Sequence, residues 1–308
     1  MLGSPNLIVA GAPERTVDGK KRAGALVVWP MDAKGVPGSP STITQSSSGV
    51  PGVNEAGDGF GYSLAASGST LVVGTPYENV GSLADAGSVT VLERSGSTSF
   101  KGVGITQNTA GVPGSSERYD MFGWAVAIDR GWIVASAPNE TVDGVLQTGL
   151  VQAFGYTAGS LKPTPLRRSI HQDSAGVPGG NERFDEFGLS LLMLRCGPGA
   201  AVAVGTPYET VGSHHESGLV TVVPLGGGST CPARAYDGSD FGGTVTDDDR
   251  VGKGLGLVRE PSADHDELLA LAQDRTGRIN PVTGDFVARY SVLWGMSYAN
   301  TGYSTPTR

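Results

Sequence analysis

The chain has 308 residues, of which 48 are glycine, and its formal net charge is −8. Nucleic acid is not an expected partner, because phosphate contacts need clustered Lys and Arg and no basic run exceeds Lys20-Lys21-Arg22. No stretch approaches the roughly 20 apolar residues of a membrane helix, so we expect no membrane insertion. Alternating apolar runs between glycine-rich turns argue against disorder and favour a fold of many tight turns.

A cassette recurs along the chain. Its first half reads GVPGVNEAGDGFG from Gly49, GVPGSSERYDMFG from Gly111 and GVPGGNERFDEFG from Gly176, so the steps are 62 and 65 residues. Its second half is an apolar run followed by Gly-Ala-Pro or a close variant, and it begins at Val9, Val72, Val134 and Ala203. A period in this range is typical of solenoids, propellers and other repeat arrays.

The second repeat predicts a unit of four strands. Residues 60–67 and 87–93 alternate apolar and polar residues, 70–74 form a short apolar run, and 100–107 give a weaker fourth strand. Such a meander cannot cover both of its faces alone, but sheets stacked radially cover each other. Solenoid units are shorter or helical, and no helical periodicity is visible, so we predict an all-β propeller of four-stranded antiparallel blades.

We treat the whole chain, 1–308, as a single propeller domain of repeats. The repeats fall at about 1–48, 49–110, 111–175, 176–240 and 241–295, with a C-terminal tail at 296–308. The first repeat begins only at its second strand, with Leu7 to Ala10, and the fifth is decayed around Asp249-Arg250-Val251-Gly252. The chain therefore holds about four and a half to five blades. It is either an N-terminally truncated seven-bladed propeller or one that closes by strand exchange with the C-terminal segment.

Two cysteines are present, Cys196 and Cys231, and they lack the CxxC spacing of metal or redox pairs. They bracket the central strands of the fourth repeat. A disulfide between adjacent turns and two unpaired thiols both remain open at this stage, because connectivity depends on a Cα separation that sequence does not give.

Two recurring elements carry a family resemblance. Asp followed by Phe-Gly recurs at Phe60-Gly61, Phe122-Gly123 and Phe187-Gly188, and Gly-Ala-Pro-like triplets follow about fifteen residues later, as at Gly74-Thr75-Pro76. The pair resembles the FG-GAP repeat of integrin α-subunit propellers, and more closely the FG-GAP proteins that actinobacteria secrete. The resemblance implies an extracellular protein, although the N-terminus has no signal peptide.

The resemblance also bears on calcium. Integrin-type calcium hairpins read DxDxDG between the first two strands of a blade. The corresponding turns here, at 67–70, 129–131 and 195–199, lack that acid pattern. A hard cation such as calcium needs six or more oxygen ligands. We therefore expect no cofactor. A calcium site formed by acidic residues outside these turns is the alternative that we keep open.

Acidic residues repeat in the predicted loops of one propeller face. They are Glu55, Asp58, Glu117, Asp120, Glu182 and Asp185, with Glu14, Glu78, Glu140 and Glu209 after the second strands. They could form an acidic rim for a cation or a basic ligand. Alternatively, each carboxylate accepts backbone N–H groups of its own loop, and repetition in every blade favours that structural role.

Side chains that differ between blades are better candidates for binding, because a binding site usually uses an asymmetric subset. We single out Tyr77, Tyr208, His214, His215, Arg118 and Arg183. The tyrosines either offer aromatic surface to a sugar or peptide or pack under their loops. His214-His215-Glu216 is a poorly oriented metal candidate, and Asp247-Asp248-Asp249 favours a solvated turn over a weak cation site.

No catalytic pattern stands out, since there is no GxSxG elbow and paired carboxylates occur everywhere. We therefore expect a non-catalytic extracellular binding or adhesion module, monomeric, that recognises a protein or glycan through loops on one face. The alternatives are a hydrolase with carboxylates at the propeller mouth and a degenerate structural fragment.

Overall fold

The computed structural model describes residues 6–160, 166–259, 262–272 and 275–291. These residues form nineteen β-strands and no helix. In this part of the chain, accordingly, no helix is long and apolar enough to cross a bilayer. Residues 292–308, which include the predicted C-terminal tail, lie outside the described residues.

The strands form five consecutive sheets, which we number in chain order. Sheet 1 contains β1 (Leu7–Ala12), β2 (Ala25–Pro30) and β3 (Ser41–Ile43). Sheet 2 contains β4 (Ser63–Ser67), β5 (Thr70–Thr75), β6 (Ser88–Arg94) and β7 (Phe100–Ile105). Sheet 3 contains β8 (Val126–Asp129), β9 (Trp132–Ala137), β10 (Leu150–Gly155) and β11 (Leu166–Ile170). Sheet 4 contains β12 (Ser190–Cys196), β13 (Gly199–Thr206), β14 (Leu219–Pro224) and β15 (Arg234–Tyr236). Sheet 5 contains β16 (Leu255–Arg259), β17 (Asp266–Leu271), β18 (Arg275–Ile279) and β19 (Phe286–Ser291).

The predicted fold class is confirmed: the chain is all-β, and neighbours in sequence pair in order within each sheet, as in the blades of a β-propeller. Four sheets have four strands, and sheet 1 has three in the described residues. The short apolar run at 70–74 forms a strand that is buried on both faces, since all of β5 is buried. β1 carries a similar apolar sequence but lies at a sheet edge, and it is half exposed.

Contacts divide the chain into two compact units, residues 1–135 with 154–167 and residues 136–153 with 168–308. In the first unit, Phe60 packs with Leu26, Leu71 and Leu92 between sheets 1 and 2. The three Phe-Gly rings, Phe60, Phe122 and Phe187, are all fully buried. Large aromatic rings recur here as packing anchors.

The second unit contains the two cysteines, which form a disulfide. Cys196 and Cys231 have Cα atoms 5.4 Å apart, and both are buried among Tyr236, Phe241 and Leu268. The bond joins the end of the first strand of sheet 4 to the segment before its last strand. Of the two possibilities that the sequence left open, the structure gives the disulfide.

A repeated main-chain contact between neighbouring sheets explains the Phe-Gly element. We call this contact, a hydrogen bond from the Phe N–H beside a closely packed glycine, the latch. The N–H of Phe60 donates to the carbonyl of Ala23, and the N–H of Phe122 donates to that of Ala86, both over 3.0 Å. The residue after each acceptor is a glycine, as at Gly87, with φ of 85°. A Cβ there would overlap the main-chain N and O of Phe122, so only glycine lets the sheets approach this closely.

The Gly-Ala-Pro element is the other side of the same contact. A Cβ on Gly74 would overlap the carbonyl of Gly123, the glycine of the next Phe-Gly pair. Ser63 Oγ donates to that carbonyl over 2.8 Å. In the second unit, Ser190 Oγ donates to the carbonyl of Gly252 over 2.6 Å. The two halves of the cassette are therefore complementary surfaces of neighbouring sheets.

Candidate functional site

Two sets of loops meet through repeated main-chain hydrogen bonds. One set follows β1, β5, β9 and β13, and the other precedes the first strand of the next sheet. A residue of the second loop donates its N–H to a carbonyl of the first loop over 2.9 to 3.1 Å. We call these contacts the rim pairs. They are Lys21–Gly57, Ala84–Tyr119, Leu146–Phe184 and His215–Asp248.

The main chain of the rim pairs repeats, whereas the side chains do not. The donor residue has positive φ in each case: 103° at Gly57, 73° at Tyr119, 73° at Phe184 and 61° at Asp248. Glycine adopts this conformation freely, but a non-glycine residue costs of the order of 1–2 kcal/mol. Gly57 shows that the loop needs no side chain at this position, so the aromatic residues are not explained by folding.

Tyr119 and Phe184 are also exposed, by 49% and 46% of their surface. Arg118 lies 5.8 Å from the ring centroid of Tyr119, and Arg183 lies 4.5 Å from that of Phe184. Leu146, the rim partner of Phe184, is 45% exposed. The two arginines that the sequence singled out thus stack on aromatic rings that it missed.

The repeated aspartates act within their own loops. Asp58, Asp120 and Asp185 are buried, and each accepts an N–H through Oδ2. The donors are the backbone amides of Glu55, Glu117 and Glu182, at 2.7, 2.5 and 2.6 Å. This arrangement is the second of the two roles considered for the acidic repeat, in which each carboxylate accepts a backbone N–H group of its own loop. Burial raises the pKa of each aspartate to about 6.

The repeated glutamates do not all behave as predicted. We expected Glu78 and Glu209 to accept backbone N–H groups, but they accept side-chain amides from Gln45 and Gln172 over 2.5 Å. Glu14 differs again, because it is exposed and pairs with Arg22 at 2.9 Å. The hydrogen-bond partner that we expected for Glu78 and Glu209 was wrong. The side chain of glutamate is longer than that of aspartate, and it reaches past its own loop to a glutamine of the preceding repeat.

These glutamines carry a sequence signal that we did not use. Each stands two residues after the isoleucine that ends the last strand of a sheet. The motif Ile-x-Gln recurs at 43–45, 105–107 and 170–172. Its recurrence at the cassette period marks a buried tie between the end of one repeat and the second half of the next.

Burial leaves these glutamates hard to ionise. The pKa of Glu78 rises to about 7 and that of Glu209 to about 8, chiefly through desolvation. Neighbouring Asp58 and Asp185 add like charge that raises them further. Among the residues that the structure describes, no group of three or more His, Cys, Asp and Glu is placed to hold a metal ion.

A pH dependence follows from Glu209. Its pKa rises from 4.5 to about 8 on folding, so the folded state binds the proton more tightly. The stabilisation is full below about pH 4.5 and is lost as the pH rises through about 8. We expect the melting temperature of the wild type to fall across that range. Glu209→Gln, measured by thermal unfolding at several pH values, should flatten the fall.

Glu14→Gln is the matched control, because Glu14 is a repeated glutamate with an exposed side chain. Its melting curve should follow that of the wild type at every pH. A Glu209→Gln protein with an unchanged pH profile would contradict the assignment of the titration to Glu209.

Tyr77 belongs to a cluster of three half-buried rings in the first unit. Its ring centroid is 5.6 Å from that of Tyr62 and 6.4 Å from that of Trp124, and Tyr62 and Trp124 are 4.8 Å apart. Arg22 lies 5.6 Å from the centroid of Tyr77. We considered two positions for Tyr77, exposed to solvent or packed under its loop. The structure shows neither extreme, because the ring is half-buried.

Tyr208 occupies the equivalent position in the second unit, with charged neighbours. Arg250 lies 5.6 Å from its ring centroid and pairs with Glu216 at 2.5 Å. Burial and the charge of Glu216 raise the pKa of Glu186 to about 7. Both tyrosines thus lie beside an arginine, and among the described residues only Tyr77 has aromatic neighbours.

The structure brings His214 to one carboxylate, but the described residues form no group of three or more side chains that could hold a metal ion. His214 Nδ1 lies 3.1 Å from Asp247 Oδ1, and His215 supplies the carbonyl of a rim pair. Asp247 and Asp248 are exposed, as a solvated turn requires, but Asp249 is buried.

The comparison with protein families agrees with the repeat. A family model described as FG-GAP repeat matches residues 47–92, which include β4, β5 and most of β6. No curated protein matches the chain. Among solved structures, the chain is similar to the periplasmic gluconolactonase PpgL of Pseudomonas aeruginosa. The two are 15% identical, the alignment covers 94% of this chain and 83% of that one, and the TM-score is 0.41.

Proposed function

We propose that the protein is a non-catalytic recognition module that binds a protein or glycan through its rim pairs and the loops beside them. The observation that carries the proposal is the pair of exposed aromatic residues, Tyr119 and Phe184, at positions where the main chain favours glycine. Strained residues that folding does not require cluster at functional sites. Aromatic and Arg side chains are also the usual anchors of recognition.

The side-chain variation supports the same function. The four rim pairs share the same main-chain hydrogen bond but differ in residue type. In chain order they are Lys with Gly, Ala with Tyr, Leu with Phe, and His with Asp. A structural tie would repeat in every unit, as the buried aspartates do. The rim pairs instead give each pair of sheets a different surface, as selective binding needs.

We further propose that the protein acts outside the cell as a monomer, like the integrin-type and actinobacterial FG-GAP proteins that its repeats resemble. The buried disulfide between Cys196 and Cys231 supports this location, because disulfides persist in oxidising compartments. Calcium plays no part in the proposal, and neither does nucleic acid.

Substitution of the rim aromatics by glycine should separate stability from binding. In the double variant Tyr119→Gly/Phe184→Gly, both residues keep their positive φ without a Cβ. We expect unchanged or slightly raised stability, by up to about 1 kcal/mol per site, since the gain is offset by a more flexible unfolded chain. Binding on a glycan and peptide array should fall sharply. Thermal unfolding and array binding are the two measurements.

Val36→Gly is the control, because Val36 is an exposed apolar residue, at 55%, that lies in the turn between β2 and β3 and outside the rim pairs. It should retain most of the binding of the wild type. Binding that survives the loss of both aromatic rings would overturn the proposal. Turnover of a hydrolase substrate that disappears in Asp58→Asn or Asp185→Asn would instead favour an enzyme.

A further inference from the structure

We propose that the ring cluster of Tyr62, Tyr77 and Trp124 binds one sugar unit of a neutral glycan. The inference rests on the proposed recognition function and names a ligand class for one site within it. The cluster lies wholly within the first compact unit, and its three rings are half-buried. It is therefore part of neither the closed core nor the fully exposed surface.

Folding does not require aromatic residues in this cluster. The residue after Phe-Gly is Tyr62 or Trp124 in the first unit, and it is Leu189 in the second unit. The residue after the Pro of the second cassette half is Tyr77 in one repeat and Asn139 in another. The same sheets form with aliphatic or amide side chains at these positions, so the aromatic trio is specific to one site.

The geometry leaves a mixed apolar and polar surface. Tyr62 and Tyr77 meet edge to face at 89°, and Tyr62 and Trp124 are tilted by 48°, so the rings do not cover one another as a flat stack would. Trp124 donates its backbone N–H to Met121. Within the described residues, its indole N–H has no hydrogen-bond acceptor, and it is available to a ligand.

The electrostatics disfavour a charged ligand. Arg22, which lies 5.6 Å from the ring centroid of Tyr77, is already engaged by Glu14 at 2.9 Å and by that ring. The charges of Glu55 and Asp58 act on Glu78, the residue after Tyr77, so an anionic sugar or a phosphate would meet carboxylates of its own sign. A cation would compete with Arg22 for the ring of Tyr77.

A pyranose unit fits these requirements. Its axial C–H groups form an apolar face that packs on aromatic rings, and its hydroxyls bond to phenol and indole groups. A protein partner would need about 800 Å² of surface on this side, which three half-buried rings do not supply. A single ring-sized ligand does not have that requirement.

Leucine and asparagine, taken from the chain's own repeats, give variants that should keep the fold. We would titrate the full-length protein with maltohexaose, cellohexaose, xylohexaose and mannohexaose by calorimetry and tryptophan fluorescence. At least one should bind the wild type, and Trp124→Leu or Tyr77→Asn should weaken it at least tenfold, about 1.4 kcal/mol. Trp29→Leu, the same change at a half-buried tryptophan of β2 outside the ring cluster, should bind like the wild type.

The fluorescence change on binding should disappear in Trp124→Leu, while its melting temperature falls by only a few degrees. Failure of every neutral oligosaccharide to bind at about millimolar concentration would overturn the inference. So would binding that Trp124→Leu does not weaken, or array ligands at this site that are peptides only. If Tyr119→Gly/Phe184→Gly abolishes array binding and Trp124→Leu does not, the recognition function stands and the sugar site is wrong.

Discussion

Gly87→Ala is expected to destabilise the protein by about 4 kcal/mol or more, at the upper end of single substitutions. The added Cβ would overlap the main-chain N and O of Phe122, which cannot move without opening the contact between sheets 2 and 3. The positive φ of 85° adds backbone strain for any residue with a side chain. Urea unfolding followed by circular dichroism gives the free energy of unfolding directly.

Gly81→Ala is the matched control, because Gly81 also has positive φ, 63°, but a Cβ there meets no atom within 4 Å. It should cost only the backbone term, about 1–2 kcal/mol. If the two variants lose equal stability, the close approach at Phe122 does not stabilise the fold, and the latch is not what holds the sheets together.

Removal of the disulfide is expected to cost nearly as much. Cys196 and Cys231 are 35 residues apart in sequence, and a crosslink over that distance stabilises by about 4 kcal/mol in the chain-entropy model. Cys196→Ala/Cys231→Ala should therefore unfold at a much lower temperature than the wild type. The loss should be confined to the second unit, which contains both cysteines.

Reductant provides the internal control for that experiment. It should lower the melting temperature of the wild type toward that of the double variant and leave the double variant itself unchanged. A double variant that melts with the wild type would show that the bond adds no stability. Equal sensitivity of both proteins to reductant would point to an effect unrelated to these cysteines.

The fold was predictable because the cassette repeats. Phe60, Phe122 and Phe187 recur after a tight turn, and a ring that recurs at a fixed period has the same packing role in each unit. The strands of sheet 5 were harder to predict. β18 reads Arg-Thr-Gly-Arg-Ile, which has little apolar alternation, and pairing with β17 and β19 sets its conformation.

The site was predictable only in part. Arg118 and Arg183 were found because they differ between repeats, but Tyr119 and Phe184 beside them were passed over. Their importance rests on positive φ and exposure, which are properties of the folded main chain. An alignment of Ala-Gly-Asp at 56–58 with Arg-Tyr-Asp at 118–120 would have shown that a glycine position had been given to an aromatic residue.

The partners of the glutamates were not predictable from their own loops. Gln45 and Gln172 come from the preceding repeat, and only the three-dimensional contact brings them to Glu78 and Glu209. The sequence did carry the Ile-x-Gln recurrence. A period search on polar residues, and not only on glycine and aromatic ones, would have identified it.

The rim pairs are held by main-chain atoms, and this has a consequence for how the molecule can change. The hydrogen bond from Tyr119 to Ala84 uses no side-chain atom, so it survives a change of either residue. New side chains at these positions can alter what is bound without a matching adjustment of the core. The rim pairs are therefore natural positions for a randomised library, in which binders of different specificity would share one framework and one unfolding temperature.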